Sequence, residues 1–250
     1  GGRGLDTAPT LATTPDEVTA CSGSKFTAAP TLAALNRAQA QGCGPLAVVA
    51  TPCQATALAQ RRAKPWPQRG AAGPSELVIG LFCNWSLDQQ GLAHFLAQRV
   101  ELKSIRSMDI PPPPAGVLQV ETTDGPLEIP LDEIRDLIPP ACAICPDMTS
   151  EWADLAVGMY EGKPGWNTLV VRNEKARALT EAAVEAGWLM VEEFPQANKE
   201  HLAHAAQGKR SRGLGAAFAQ GLLGVSGEEQ PKALRVSPKL YQAVESGEVA

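Results

Sequence analysis

The chain has 250 residues, of which 44% are hydrophobic and 20% charged, enough for one large domain or two modest ones. A net charge of −5 argues against bulk attraction to nucleic acid or to an anionic membrane surface. The longest apolar runs, at residues 45–50 and 76–83, are strand-sized and too short to span a membrane. No charged leader precedes an apolar signal segment, so the expected location is the cytoplasm.

In chain order, short apolar runs alternate with amphipathic stretches, the rhythm of an α/β or α+β domain. Strands are predicted at 46–51, 76–83, 103–110, 117–123, 127–131, 153–158 and 168–173, and helices at 28–41, 54–63, 85–99, 175–187 and 198–209. The Pro- and Gly-rich stretch at 64–74 reads as a surface loop. PPPP at 111–114 breaks any regular element, and TTDG at 122–125 reads as a hairpin turn. These elements predict a mixed sheet flanked by helices, with a small antiparallel insertion over 103–131. Beyond Gly213 four glycines weaken any helix, and residues 213–250 read as a tail ending in a short helix. Residues 1–212 are then the main domain.

Six cysteines are too few and too scattered for a disulfide scaffold. Cys53 and Cys83 each follow an apolar strand, in VVATPC and VIGLFC, while Cys142 and Cys145 form a CxxC. Ends of neighbouring strands converge in space, so the four thiols fit a tetrahedral metal or a cubane iron–sulfur cluster, to which a CxxC contributes two ligands. Prolines stiffen both ends of the set, in TPCQ and PPACAICP. A plain dithiol, a structural zinc and buried apolar cysteines remain as alternatives. Cys21 and Cys43 have no partner pattern and read as structural, and His94, His201 and His204 fit no ligand spacing with the cysteines. Asp147, Glu151 and Asp154 read as a solvated face and a turn cap, and Lys199, Lys209, Arg210 and Arg212 as a solvated basic patch.

The motifs GSKF (23–26), ATPCQATAL (50–58), LVIGLFC (77–83), CAICPDMTSEWADLAVG (142–158) and GWNTLVVRNEKA (165–176) together resemble the FrhB/FdhB family. These are flavin- and iron–sulfur-containing beta subunits of coenzyme F420-reducing hydrogenases and formate dehydrogenases, and chlorophyll-modifying reductases are related to them. The resemblance covers roughly residues 18 to 212. It implies FAD, a [4Fe–4S] cluster on Cys53, Cys83, Cys142 and Cys145, and a hydride carrier such as coenzyme F420 as substrate. The same resemblance places Ser22, Gly23, Ser24, Lys25, Thr51, Pro52, Gln54, Trp166 and Asn167 beside the flavin. The Gly-rich flavin loop of the family has no obvious counterpart in the first residues, where Gly1 rather than Met opens the chain, so that loop is expected to be missing.

What the resemblance implies is an electron-transfer subunit. It would work between a hydride carrier and the one-electron centres of a partner such as a hydrogenase, formate dehydrogenase or heterodisulfide reductase. The other expected partners are redox subunits of a hetero-oligomeric complex, with no nucleic acid and no membrane span. The alternatives are a flavin and iron–sulfur reductase of a bound organic substrate, and a zinc-binding structural subunit.

Overall fold

A computed structural model describes residues 7–63, 77–112, 114–227 and 229–249. The loop expected at 64–74 lies outside the described residues, as do residues 1–6 at the start of the chain. The chain forms two units, Gly1–Pro45 with Trp85–Pro139, and Leu46–Asn84 with Pro140–Ala250.

In the first unit, helix α1 (Pro15–Ala20) starts in a capping box: Thr14 accepts from the Glu17 amide, Glu17 accepts from the Thr14 amide, and Pro15 takes the first turn. Helix α2 spans Thr31–Ala40. The second segment of this unit carries α4 (Gln89–Ala97), where the Asp88 carboxylate caps the Gly91 amide at 2.6 Å. It then forms an antiparallel meander, β3 (Ile105–Asp109), β4 (Val117–Thr122) and β5 (Gly125–Pro130). The predicted TTDG turn is present: Thr122 opposes Gly125, whose φ of +126° explains the glycine. Leu87, Leu92 and Leu96 pack with Ile105, Met108, Leu118, Val120, Ile129 and Ile134, and Phe26 and Trp85 close against this core.

The second unit is built on a four-stranded sheet of order β1-β2-β6-β7. Strands β1 (Ala47–Ala50), β2 (Leu77–Leu81) and β6 (Leu155–Met159) are parallel, and β7 (Asn167–Val171) returns antiparallel to β6. Helix α3 (Pro52–Ala63) follows β1 directly, α5 (Pro140–Ala143) precedes β6, and α6 (Glu174–Glu185) follows β7. This is the expected α/β class with a mixed sheet and an antiparallel insertion.

The largest departure from expectation is α7, which runs unbroken over Gln196–Ala219 instead of ending near residue 209. Its glycines are tolerated because tertiary packing outweighs propensity. Leu214 and Ala217 are buried with Leu223, and Phe218 meets Tyr241 edge-to-face at 5.6 Å. The tail adds a two-stranded parallel pair, β8 (Leu223–Val225) and β9 (Leu234–Val236), and then α8 (Pro238–Glu245), capped by Ser237. Among the described residues no helix is long and apolar enough to cross a membrane.

Candidate functional site

Parallel pairing gives the site its first two cysteines. Ala50 pairs with Gly80, so Cys53 and Cys83 stand three residues beyond paired positions at the C-terminal ends of adjacent strands. This is the end where open α/β sheets place ligands. Cys53 falls in the first turn of α3 and is exposed. The Thr51 hydroxyl lies 3.3 Å from its Sγ, and the Thr51 amide donates to Gln54 Oε1 at 3.1 Å, so these residues and buried Pro52 form one tight turn.

The segment entering β6 is folded back over the end of β2. Gly80 allows this: a Cβ there would lie 2.3 Å from Ser150 Cβ and 2.8 Å from Ala153 Cβ. Ser150 is fully buried, has a φ of +54°, and donates to the Leu81 carbonyl at 2.8 Å. The Asp147 carboxylate stiffens the same loop by accepting from the Thr149 and Glu151 amides at 3.0 and 2.9 Å. Burial pushes the Asp147 carboxyl up from its ordinary value, against those two hydrogen bonds. The Cys83 amide donates to the Met148 carbonyl at 2.9 Å, and the Cys145 amide to the Cys142 carbonyl at 3.3 Å.

The four cysteines share one electrostatic neighbourhood. Burial pushes the Cys83 thiol up to about 11; the charge of Lys209 pulls it down, and Cys142, Cys53 and Cys145 each push it further up. None of the six cysteines is in a disulfide. Among the described residues no three His, Cys, Asp or Glu side chains are gathered closely enough to hold a metal ion as they stand. Three thiols whose charge reaches Cys83, together with Cys83 itself, nevertheless fit the soft, all-sulfur donor set of a cluster.

Trp166 and Asn167 follow the C-terminal end of β6 through a hairpin, at the end of the sheet that carries Cys53 and Cys83. Lys163 lies over the Trp166 ring at 3.8 Å, which holds the indole from one face. Ser22, Gly23, Ser24 and Lys25 belong to the first unit. Ser22, Gly23 and Ser24 are exposed there, and Gly23 has a φ of +100°. Cys21 and Cys43 also lie in the first unit. His94 bonds to Gln98 and His201 pairs with Glu161, both exposed.

Two readings of charged residues change. Asp154 is buried, accepting from the Val78 amide and the Asn173 side chain, both at 2.7 Å, so with buried Asp147 it is part of the scaffold and not of a solvated face. Lys209 is also buried, bonded to the Cys83 and Asp147 carbonyls. Nothing in the local sequence marks it, because its partners lie 126 and 62 residues away.

Two family models match, both for the beta subunit of coenzyme F420 hydrogenase/dehydrogenase: its C terminus over residues 43–197 and its N-terminal part over residues 2–36. The chain belongs to the coenzyme F420 hydrogenase/dehydrogenase beta subunit family. The N-terminal match includes the residues before 18 that the motif resemblance leaves uncovered. Among the relatives of this beta-family member, the coenzyme F420 hydrogenase subunit beta of Methanothermobacter thermautotrophicus is 31% identical over 182 residues, 72% of this chain and 64% of the relative. The coenzyme F420-dependent sulfite reductase of Methanocaldococcus jannaschii is 28% identical over 164 residues, 61% of this chain and 26% of the relative. The chain therefore spans less than two thirds of the length of these relatives. A chain of the F420-reducing [NiFe] hydrogenase complex from Methanosarcina barkeri superposes with a TM-score of 0.77 at 23% identity, covering 88% of this chain and 76% of that one. At that identity the likeness establishes the shared fold.

Proposed function

We propose that this chain is the iron–sulfur and flavin subunit of an oxidoreductase. It passes electrons between a hydride carrier, coenzyme F420 or a similar coenzyme, and one-electron centres in partner redox subunits. The observation that carries the reading is the placement of Cys53 and Cys83 at the C-terminal ends of adjacent parallel strands, with Cys83 bonded to the loop that follows the CxxC, in a chain of this family. These four thiolates hold a [4Fe–4S] cluster, and Thr51, Pro52, Gln54, Trp166 and Asn167 line the FAD site at the same end of the sheet. Ser22, Gly23, Ser24 and Lys25, within the first unit, offer hydroxyls, main-chain N–H groups and one cation of the kind that phosphates bind. Bound FAD and a bound cluster together supply the exchange between two-electron and one-electron transfer.

The protein's own part is placement. The turn at 51–54 and the Asp147 loop fix the main chain beside the ligand positions, and binding of a cluster would draw the thiol side chains the rest of the way together. Half-burial of Cys83, Cys142 and Cys145 against exposed Cys53 leaves one side of the site open to exchange with solvent or a partner. No side chain is assigned an acid–base role.

The test is anaerobic purification with iron, sulfide, zinc and flavin analysis. The expected result is about four iron and four sulfide per chain, with FAD only weakly held. Cys142→Ser abolishes or sharply lowers the iron, whereas Cys43→Ser leaves it unchanged. One zinc without sulfide, or equal iron in the two variants, overturns the reading.

A further inference from the structure

Helix α7 meets the cysteine-bearing loops at two points one helical turn apart. Lys209 is 5% exposed, and its Nζ donates to the Cys83 carbonyl at 2.5 Å and to the Asp147 carbonyl at 2.7 Å. On the same face, Gly213 leaves room for the CxxC loop: a Cβ there would lie 2.7 Å from the Cys145 carbonyl oxygen and 3.1 Å from Pro146 Cα. Three main-chain carbonyls, from loops far apart in sequence, are thus seated on one strip of one helix. A larger residue at 213 would push the CxxC loop away, and a shorter one at 209 would release Cys83.

The choice of lysine needs a reason beyond packing. Burying an ammonium costs free energy that a methionine of similar length avoids. Both hydrogen-bond partners of Lys209 are carbonyl dipoles, and the Asp147 carboxylate feels its charge without bonding it, whereas its neighbour Arg210 pairs with Glu151. A positive charge held beside a thiolate-ligated centre would stabilise the extra negative charge that reduction of that centre brings.

We propose that Lys209, seated by Gly213, is a positioning residue that clasps the Cys83 and Cys145–Asp147 loops together and sets the reduction potential of the centre they hold. The inference rests on the reading of the four cysteines as cluster ligands, but its mechanical half is testable without metal. A clasp that fails frees both loops at once, whereas loss of charge alone changes only the potential.

The experiment compares the full chain with Lys209→Met, Lys209→Arg and Gly213→Ala. In the metal-free proteins, hydrogen exchange is followed at the amides of Cys83, Thr149 and Glu151. In the anaerobically purified proteins, iron, sulfide and midpoint potential are measured. Lys209→Met is expected to speed exchange at all three amides and to move the potential negative by about a tenfold change in the one-electron equilibrium, ~59 mV. Lys209→Arg is expected to restore the wild-type potential, and Gly213→Ala to lower iron retention with the charge intact. If Lys209→Met does not fold, Lys209→Gln, which keeps a donor and loses the charge, is read for the same shift.

Unchanged exchange together with an unchanged potential in the neutral variant overturns the proposal. A wild-type chain without iron and sulfide overturns the functional reading instead, and the exchange measurement then decides the clasp alone.

Discussion

Cys83 shows how much of this site is decided by single positions. Its thiol is raised above its ordinary value of 9.0 to about 11, chiefly by burial, because the thiolate loses solvation that the neutral thiol does not need. The folded value lies above the unfolded one. The stability this thiol lends the metal-free protein is therefore full below 9.0 and is lost as pH rises through about 11. Alkylation of the reduced, metal-free protein is expected to modify exposed Cys53 well before Cys83, with a midpoint near 11 for Cys83. Equal rates for the two at pH 9.0 would sink this account. On the proposed reading, ligation of iron would draw that proton off, so iron loading is expected to release protons and to slow at lower pH. Gly80 is as exacting in a different way, since no side chain fits between it and Ser150.

At the scale of elements, the caps differ in what they hold. Asp88 caps α4 from an exposed position with a single bond to the Gly91 amide. Asn173 caps α6 through the Ala176 amide at 2.9 Å and also donates to Asp154 at 2.7 Å. Asp88→Ala is expected to cost about 1 kcal/mol. Asn173→Ala is expected to cost about 2–3 kcal/mol, because it also removes a donor from a buried carboxylate. Urea unfolding of the two variants checks this, and equal losses would show that the Asp154 bond contributes nothing. Helix α7 teaches the converse lesson. Its sequence reads as a helix that weakens at Gly213, yet packing of Leu214, Ala217 and Phe218 carries it on to Ala219.

Across the whole molecule, the four candidate ligands all belong to the second unit, although the residues between Cys83 and Cys142 form much of the first. A ligand that binds only the folded site stabilises it by mass action. Anaerobic removal of iron is therefore expected to lower the melting temperature and to speed amide exchange around Cys83 and Thr149. Amides of the meander core, such as Leu118 and Val120, are expected to keep their protection. Equal loss of protection in both units would contradict a site confined to the second.

The apolar runs at β1, β2, β6 and β7, the hairpin at residues 122–125 and the family motifs are local patterns, so the sequence alone determined the fold class, the strands from β1 to β7 and the family, but not the short pair β8 and β9. It also singled out the four cysteines, because each follows or precedes a recognisable element. What it left undecided depends on partners far along the chain. Only the tertiary structure put Gly80 under Ser150, buried Asp147 and Asp154 in hydrogen bonds, and brought Lys209 to the Cys83 carbonyl. The reason is physical: periodicity records which face of an element is apolar, whereas a buried charge is tolerated only where distant main-chain groups converge on it.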